Sequence, residues 1–151
     1  MGSNQRFDYS VLGDAVNLAA RLEGQSKNYG VQIVLGEETA KNMDKDFAMI
    51  ELDNIAVKGK EEAVRVYTSL GNYDILHNTM NWVFAAGQHK KFLDLYRQQH
   101  WDIALKFASD LRDEFDGMLA DYYDIMKLRI IELRESDMPN DWDGIYRATT
   151  K

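Results

Sequence analysis

From residue 73 to residue 134 the chain reads as helical, with apolar residues recurring at steps of three and four, the spacing of one helix face. Residues 101–115 place Trp101, Ala104, Leu105, Ala108, Leu111 and Phe115 on one side. Residues 118–134 do the same with Met118, Leu119, Tyr122, Ile125, Met126, Ile130 and Leu133. The spacing also predicts helices over 73–86 and 89–98. Pro139, the one proline, ends the helical region, and residues 140–151 are predicted as an extended tail.

The preceding residues follow a different pattern. Residues 1–71 hold seven of the ten glycines, whereas residues 72–151 hold all three tryptophans and twelve of the seventeen aromatics. Residues 6–12 alternate as a strand, with Phe7, Tyr9 and Val11 on one face. Gly13 and Asp14 break it, and Asp14 is a suitable N-cap for a helix over 15–28. A buried strand is predicted at 31–35, a short helix at 36–43, and strands at 47–57 and 62–70. Lys58-Gly59-Lys60-Glu61 joins the last two as a hairpin loop. The reading is an α+β chain with a seam near Gly71.

Composition excludes several classes. No apolar run approaches the ~20 residues of a membrane helix. With no cysteine, the 151 residues offer no disulfide, zinc-thiolate or cysteine nucleophile. A net charge of −7 argues against general nucleic-acid binding, but not against a small phosphate ligand held by local cations. His77, His89 and His100 lack metal-ligand spacing and read as ordinary helix or loop residues.

Four residues are candidates for chemistry. Asn17 and Arg21 are four apart, so they share a helix face. An amide can bond a ribose oxygen, and a guanidinium offers phosphate a planar fork. Lys58 beside Gly59 places a point charge where backbone can approach a ligand. Ser10 precedes Gly13 on the strand and could read a base edge. By spacing alone, each is more often a solvated surface residue.

Their order is what distinguishes them. Phe7-Asp8-Tyr9-Ser10-Val11-Leu12-Gly13-Asp14-Ala15-Val16-Asn17-Leu18-Ala19-Ala20-Arg21-Leu22-Glu23 resembles the signature stretch of the class III adenylate/guanylate cyclases. Ile55-Ala56-Val57-Lys58-Gly59-Lys60 resembles that family's phosphate-lysine loop. Asp141-Trp142-Asp143-Gly144 and Ala148-Thr149-Thr150-Lys151 are similar to the C-terminal extension of bacterial membrane-anchored cyclases. The resemblance implies a partial ferredoxin-like cyclase domain over 1–71, its C-terminal half, and a helical extension over 72–151.

The family resemblance also implies the site. Asn17 would orient the ribose, Arg21 would stabilise transition-state charge on phosphate, and Lys58 would hold the terminal phosphates. Ser10 would read the base, with a lean towards ATP over GTP. The site would form between two catalytic domains, so a second cyclase domain is the expected partner, in the cytoplasm. The family's Mg²⁺ or Mn²⁺ aspartates precede the matching stretch, and neither Asp8 nor Asp14 aligns with them. The expectation is no metal site in these residues and a chain inactive by itself. Two alternatives stay open: a non-catalytic nucleotide-binding or dimerisation module, and a helical protein-interaction element over 89–134.

Overall fold

A computed structural model describes residues 25–43, 45–56, 63–79 and 81–147. The strand expected at 6–12, most of the helix at 15–28 and the loop at 58–61 lie outside these residues.

The architecture is α+β. Residues 25–29 are helical (α1). Then follow β1 (Leu35–Gly36), α2 (Glu37–Met43), β2 (Phe47–Ala56) and β3 (Ala63–Asn72). The remainder is helical: α3 (Tyr73–Thr79), α4 (Trp82–Arg97), α5 (Trp101–Leu111) and α6 (Ala120–Glu135), before a last strand, β4 (Tyr146–Arg147). The described strands form one sheet in the order β1-β3-β2-β4.

β2 and β3 pair antiparallel from Phe47↔Asn72 to Ala56↔Ala63. The register shifts between Ala48 and Met49, and again between Glu51 and Asp53. The second shift makes Leu52 an extra residue, which changes the side-chain phase of the strand. Ala48, Ile50 and Leu52 are buried before it, Asp53 and Ile55 after it.

α5 packs against both α4 and α6. Phe92, Tyr96, Ala104, Ala108, Tyr122, Met126 and Ile130 form one core with Ile50, Leu52 and Val66 of the sheet. Joining the two halves of the sequence in one core suits their size, since a half this small buries too little surface alone.

The structure corrects four sequence expectations. Only Leu35 of the 31–35 strand enters the sheet, with Gly36, opposite Tyr67 and Val66 of β3. Ahead of it, Gly30 turns the chain at φ 64° and seats it against Asp121 and Ile125 of α6. Val31 N–H donates to Ser26 C=O at 3.1 Å, closing α1 with the six-to-one bond of a glycine C-cap. The helices expected at 73–86 and 89–98 meet before Trp82 rather than near Gly87. Gly87 lies inside α4, where an added Cβ would meet nothing within 4 Å.

The helix expected to run to Phe115 stops at Leu111. Phe115, Asp116 and Gly117 all adopt positive φ, at 55°, 54° and 74°. This bend buries Phe115 edge-on against Trp82, 5.5 Å between centroids. The tail is not simply extended either. Trp142 packs on Tyr96 and Trp101 at 5.6 and 6.0 Å. Tyr146 and Arg147 then pair in parallel with Ile55 and Ala56 of β2. Among the described residues, that pairing covers part of the edge of β2 away from β3.

Candidate functional site

Ser10, Asn17, Arg21 and Lys58 all lie outside the described residues. The structure does describe β2, which leads directly to Val57 and Lys58, and the groups that hold it.

Asp53 is the centre of this region and is fully buried. The bulge at Leu52 turns it inward, where a carboxylate needs partners. The Tyr29 hydroxyl donates to it at 2.7 Å and the Asn54 N–H at 2.8 Å. The Arg129 guanidinium of α6 completes the set as an ion pair. The same guanidinium lies over the Tyr146 ring, 3.7 Å from its centroid, and 5.5 Å from that of Tyr29. Burial opposes the Arg129 charge, but Asp53 holds its pKa well above the ordinary arginine value. Burial, and then the Asp53 charge, push the Tyr29 and Tyr96 hydroxyls above the ordinary tyrosine value. Both remain neutral at physiological pH, and Tyr29 keeps the proton that it donates to Asp53.

Two backbone carbonyls at the bulge are held by side chains of the helices. His89 Nε2 lies 2.5 Å from Glu51 C=O, and Nδ1 lies 2.7 Å from the Tyr123 hydroxyl. A carbonyl only accepts, so neutral His89 carries its proton on Nε2 and accepts from Tyr123 at Nδ1. Burial lowers the His89 pKa to about 4, so the ring is neutral near pH 7. The Tyr122 hydroxyl donates to Leu52 C=O at 2.5 Å. Arg97 and Arg65 both bind the Glu51 carboxylate.

This buried polar set was not anticipated from the sequence. His89, expected as an ordinary helix or loop residue, is a core residue bonded at both ring nitrogens. One sequence signal did exist. The apolar phase of β2 runs through Ala48, Ile50 and Leu52, then switches to Ile55, which marks a bulge with Asp53 beside it.

A cavity of about 470 Å³ lies between residues 30–33, the end of β3 and residues 118–121. Among the described residues its charged lining is Asp121, with neither lysine nor arginine. The described lining thus supplies no cation for a triphosphate.

Among the described residues, no group of three or more His, Cys, Asp or Glu could hold a metal ion. The best enclosed carboxylate, Asp53, is committed to Arg129, Tyr29 and a backbone N–H. These residues do not fit a metal centre, and no reaction step is assigned to one. No helix among them is long and apolar enough to cross a membrane.

Comparison with known proteins supplies the family. Residues 1–70 match the profile of the adenylate and guanylate cyclase catalytic domain. An adenylate cyclase of Anabaena cylindrica is 40% identical over 70 residues, covering 44% of this chain and 14% of that protein. The terminal-differentiation-specific adenylate cyclase of Dictyostelium discoideum is 37% identical over 70 residues, 44% of this chain and 3% of that one. Adenylate cyclase 1 of Rhizobium meliloti is 30% identical over 71 residues, 47% of this chain and 11% of that one. The chain thus spans a small part of each relative. No solved structure matches.

Residues 1–70 therefore belong to the class III adenylate/guanylate cyclase catalytic domain family. The four residues singled out by the sequence all fall within that matched stretch.

Proposed function

We propose that this chain supplies one side of the nucleotide site of an adenylate cyclase, which converts ATP to cyclic AMP and pyrophosphate. The observation that carries the reading is the order of Ser10, Asn17, Arg21 and Lys58 inside the family-matched residues 1–70. Three relatives named as adenylate cyclases support ATP as the substrate.

In the reaction, the ribose 3′-oxygen forms a bond to the α-phosphorus. The bond from that phosphorus to the bridging oxygen breaks, and pyrophosphate leaves. The Asn17 amide bonds a ribose oxygen and orients the attack. The Arg21 guanidinium meets the negative charge that grows on the phosphate oxygens. Lys58 attracts the terminal phosphates, and the Ser10 hydroxyl bonds the adenine edge.

Family members use Mg²⁺ or Mn²⁺, and the aspartates that bind it are not among these residues. Turnover therefore calls for a segment that supplies them, in the same polypeptide or another, and the 151-residue chain assayed alone forms no cyclic AMP. A second catalytic domain is the natural partner, because the family's sites are shared between two. Residues 1–71 act as the cyclase part, 72–151 as a helical extension, and the cytoplasm supplies ATP.

The assay mixes this chain with a cyclase segment that carries the metal aspartates, together with ATP and Mg²⁺ or Mn²⁺. Cyclic AMP should form, and Arg21→Ala should lower its rate by roughly a hundredfold or more. No product from two folded halves would remove the catalytic reading. Nucleotide binding that persists without turnover would favour the alternative, a regulatory nucleotide-binding or dimerisation module.

A further inference from the structure

We propose that residues 72–151 act as a strap on β2, with Arg129 as the positioning residue that fixes the strand two residues ahead of Lys58 in sequence, and through it the lysine's hold on the nucleotide phosphates. The proposal rests on the cyclase reading of Lys58 given above.

The extension holds β2 residue by residue from Glu51 to its end at Ala56. Glu51 C=O is bonded by His89, and the Glu51 carboxylate by Arg97. Leu52 C=O is bonded by Tyr122, and the Asp53 carboxylate by Arg129. Ile55 and Ala56 are paired by Tyr146 and Arg147 of β4. Lys58 follows Ala56 by two peptide bonds.

Arg129 joins these holds. Its guanidinium binds Asp53 of β2 and stacks at 3.7 Å on Tyr146 of β4. One side chain therefore sets both the strand and the partner strand beside its end. Apolar packing alone could bury β2 without such a bond. A buried ion pair adds little net stability over apolar packing, so its distinctive contribution here is orientation. Orientation matters at a lysine that holds phosphate, because a displacement of about 1 Å away from the chemistry can cost on the order of a hundredfold in rate.

The test is a double-mutant cycle on the full 151-residue chain, with an N-methylanthraniloyl derivative of ATP as the probe. Tyr146→Gly removes the stacked ring from Arg129. Arg129→Lys keeps the charge but loses the planar fork. Each is measured alone and with Lys58→Ala, with circular dichroism to verify folding. Tyr146→Gly keeps the test available if Arg129→Lys fails to fold.

Either variant should weaken probe binding by about fivefold with Lys58 present and by less than about twofold with Lys58→Ala, because the strap acts through the lysine. Hydrogen exchange at Ile55 and Ala56 should quicken in both variants. Equal losses in the two backgrounds, or no loss in either, would overturn the strap alone. An unmodified chain that does not bind the probe would overturn the nucleotide reading, and the strap's role with it.

Discussion

Arg129 donates to the buried carboxylate of Asp53 across 76 residues of sequence, joining α6 to β2. The guanidinium is almost as enclosed as the acid, with a side-chain exposure of 10% against 0%. Removing one member of such a pair leaves the other charged and buried. Arg129→Met is therefore expected to cost about 3–5 kcal/mol in urea unfolding. Replacing both, as in Asp53→Leu with Arg129→Met, should cost less than the single change. A loss below ~1 kcal/mol for Arg129→Met would contradict the buried pair.

His89 should make the fold sensitive to acid. Its pKa is about 4 when folded, against 6.5 for an unperturbed histidine, so the unfolded chain binds the extra proton first. The contribution is fully present above pH 6.5. It falls as pH drops from 6.5 towards 4, by on the order of 3 kcal/mol in all. Unfolding experiments at stepped pH should show this slope, with His89→Gln reducing it. A slope unchanged in His89→Gln would assign the effect elsewhere. Nitrogen chemical shifts should also report the proton on Nε2 at neutral pH.

Gly30 is expected to resist substitution. Its φ is 64°, and a Cβ there would come 2.9 Å from the Asp121 Cβ. Gly30→Ala thus combines left-handed backbone strain of roughly 1–2 kcal/mol with a clash against α6. The melting temperature should fall by several degrees. Gly87→Ala is the control, because an added Cβ there meets nothing within 4 Å and alanine favours a helix interior. It should be neutral or slightly stabilising.

Periodicity made the helices and the β2–β3 hairpin legible, because Trp101–Leu111 and Val64–Thr68 each bury one face. It failed where tertiary contacts bend the chain. Phe115 leaves its helix to reach Trp82, and Val31 to Val34 leave strand geometry after the turn at Gly30. The tail looked extended because the pairing partner of Tyr146 is Ile55, far away in sequence. The bulge at Leu52 turns Asp53 inward, and no sequence expectation singled out that residue. Ser10, Asn17, Arg21 and Lys58 stand out by order and spacing rather than by periodicity, and the family match over residues 1–70 spans all four positions.

The most direct measurement is a calorimetric titration of the 151-residue chain with the non-cyclisable analogue α,β-methylene ATP, beside Asn17→Ala and Lys58→Ala. If these residues hold ribose and phosphate, the unmodified chain binds, and each substitution weakens binding by about tenfold, or ~1.4 kcal/mol. Binding that is the same in all three chains would contradict the account.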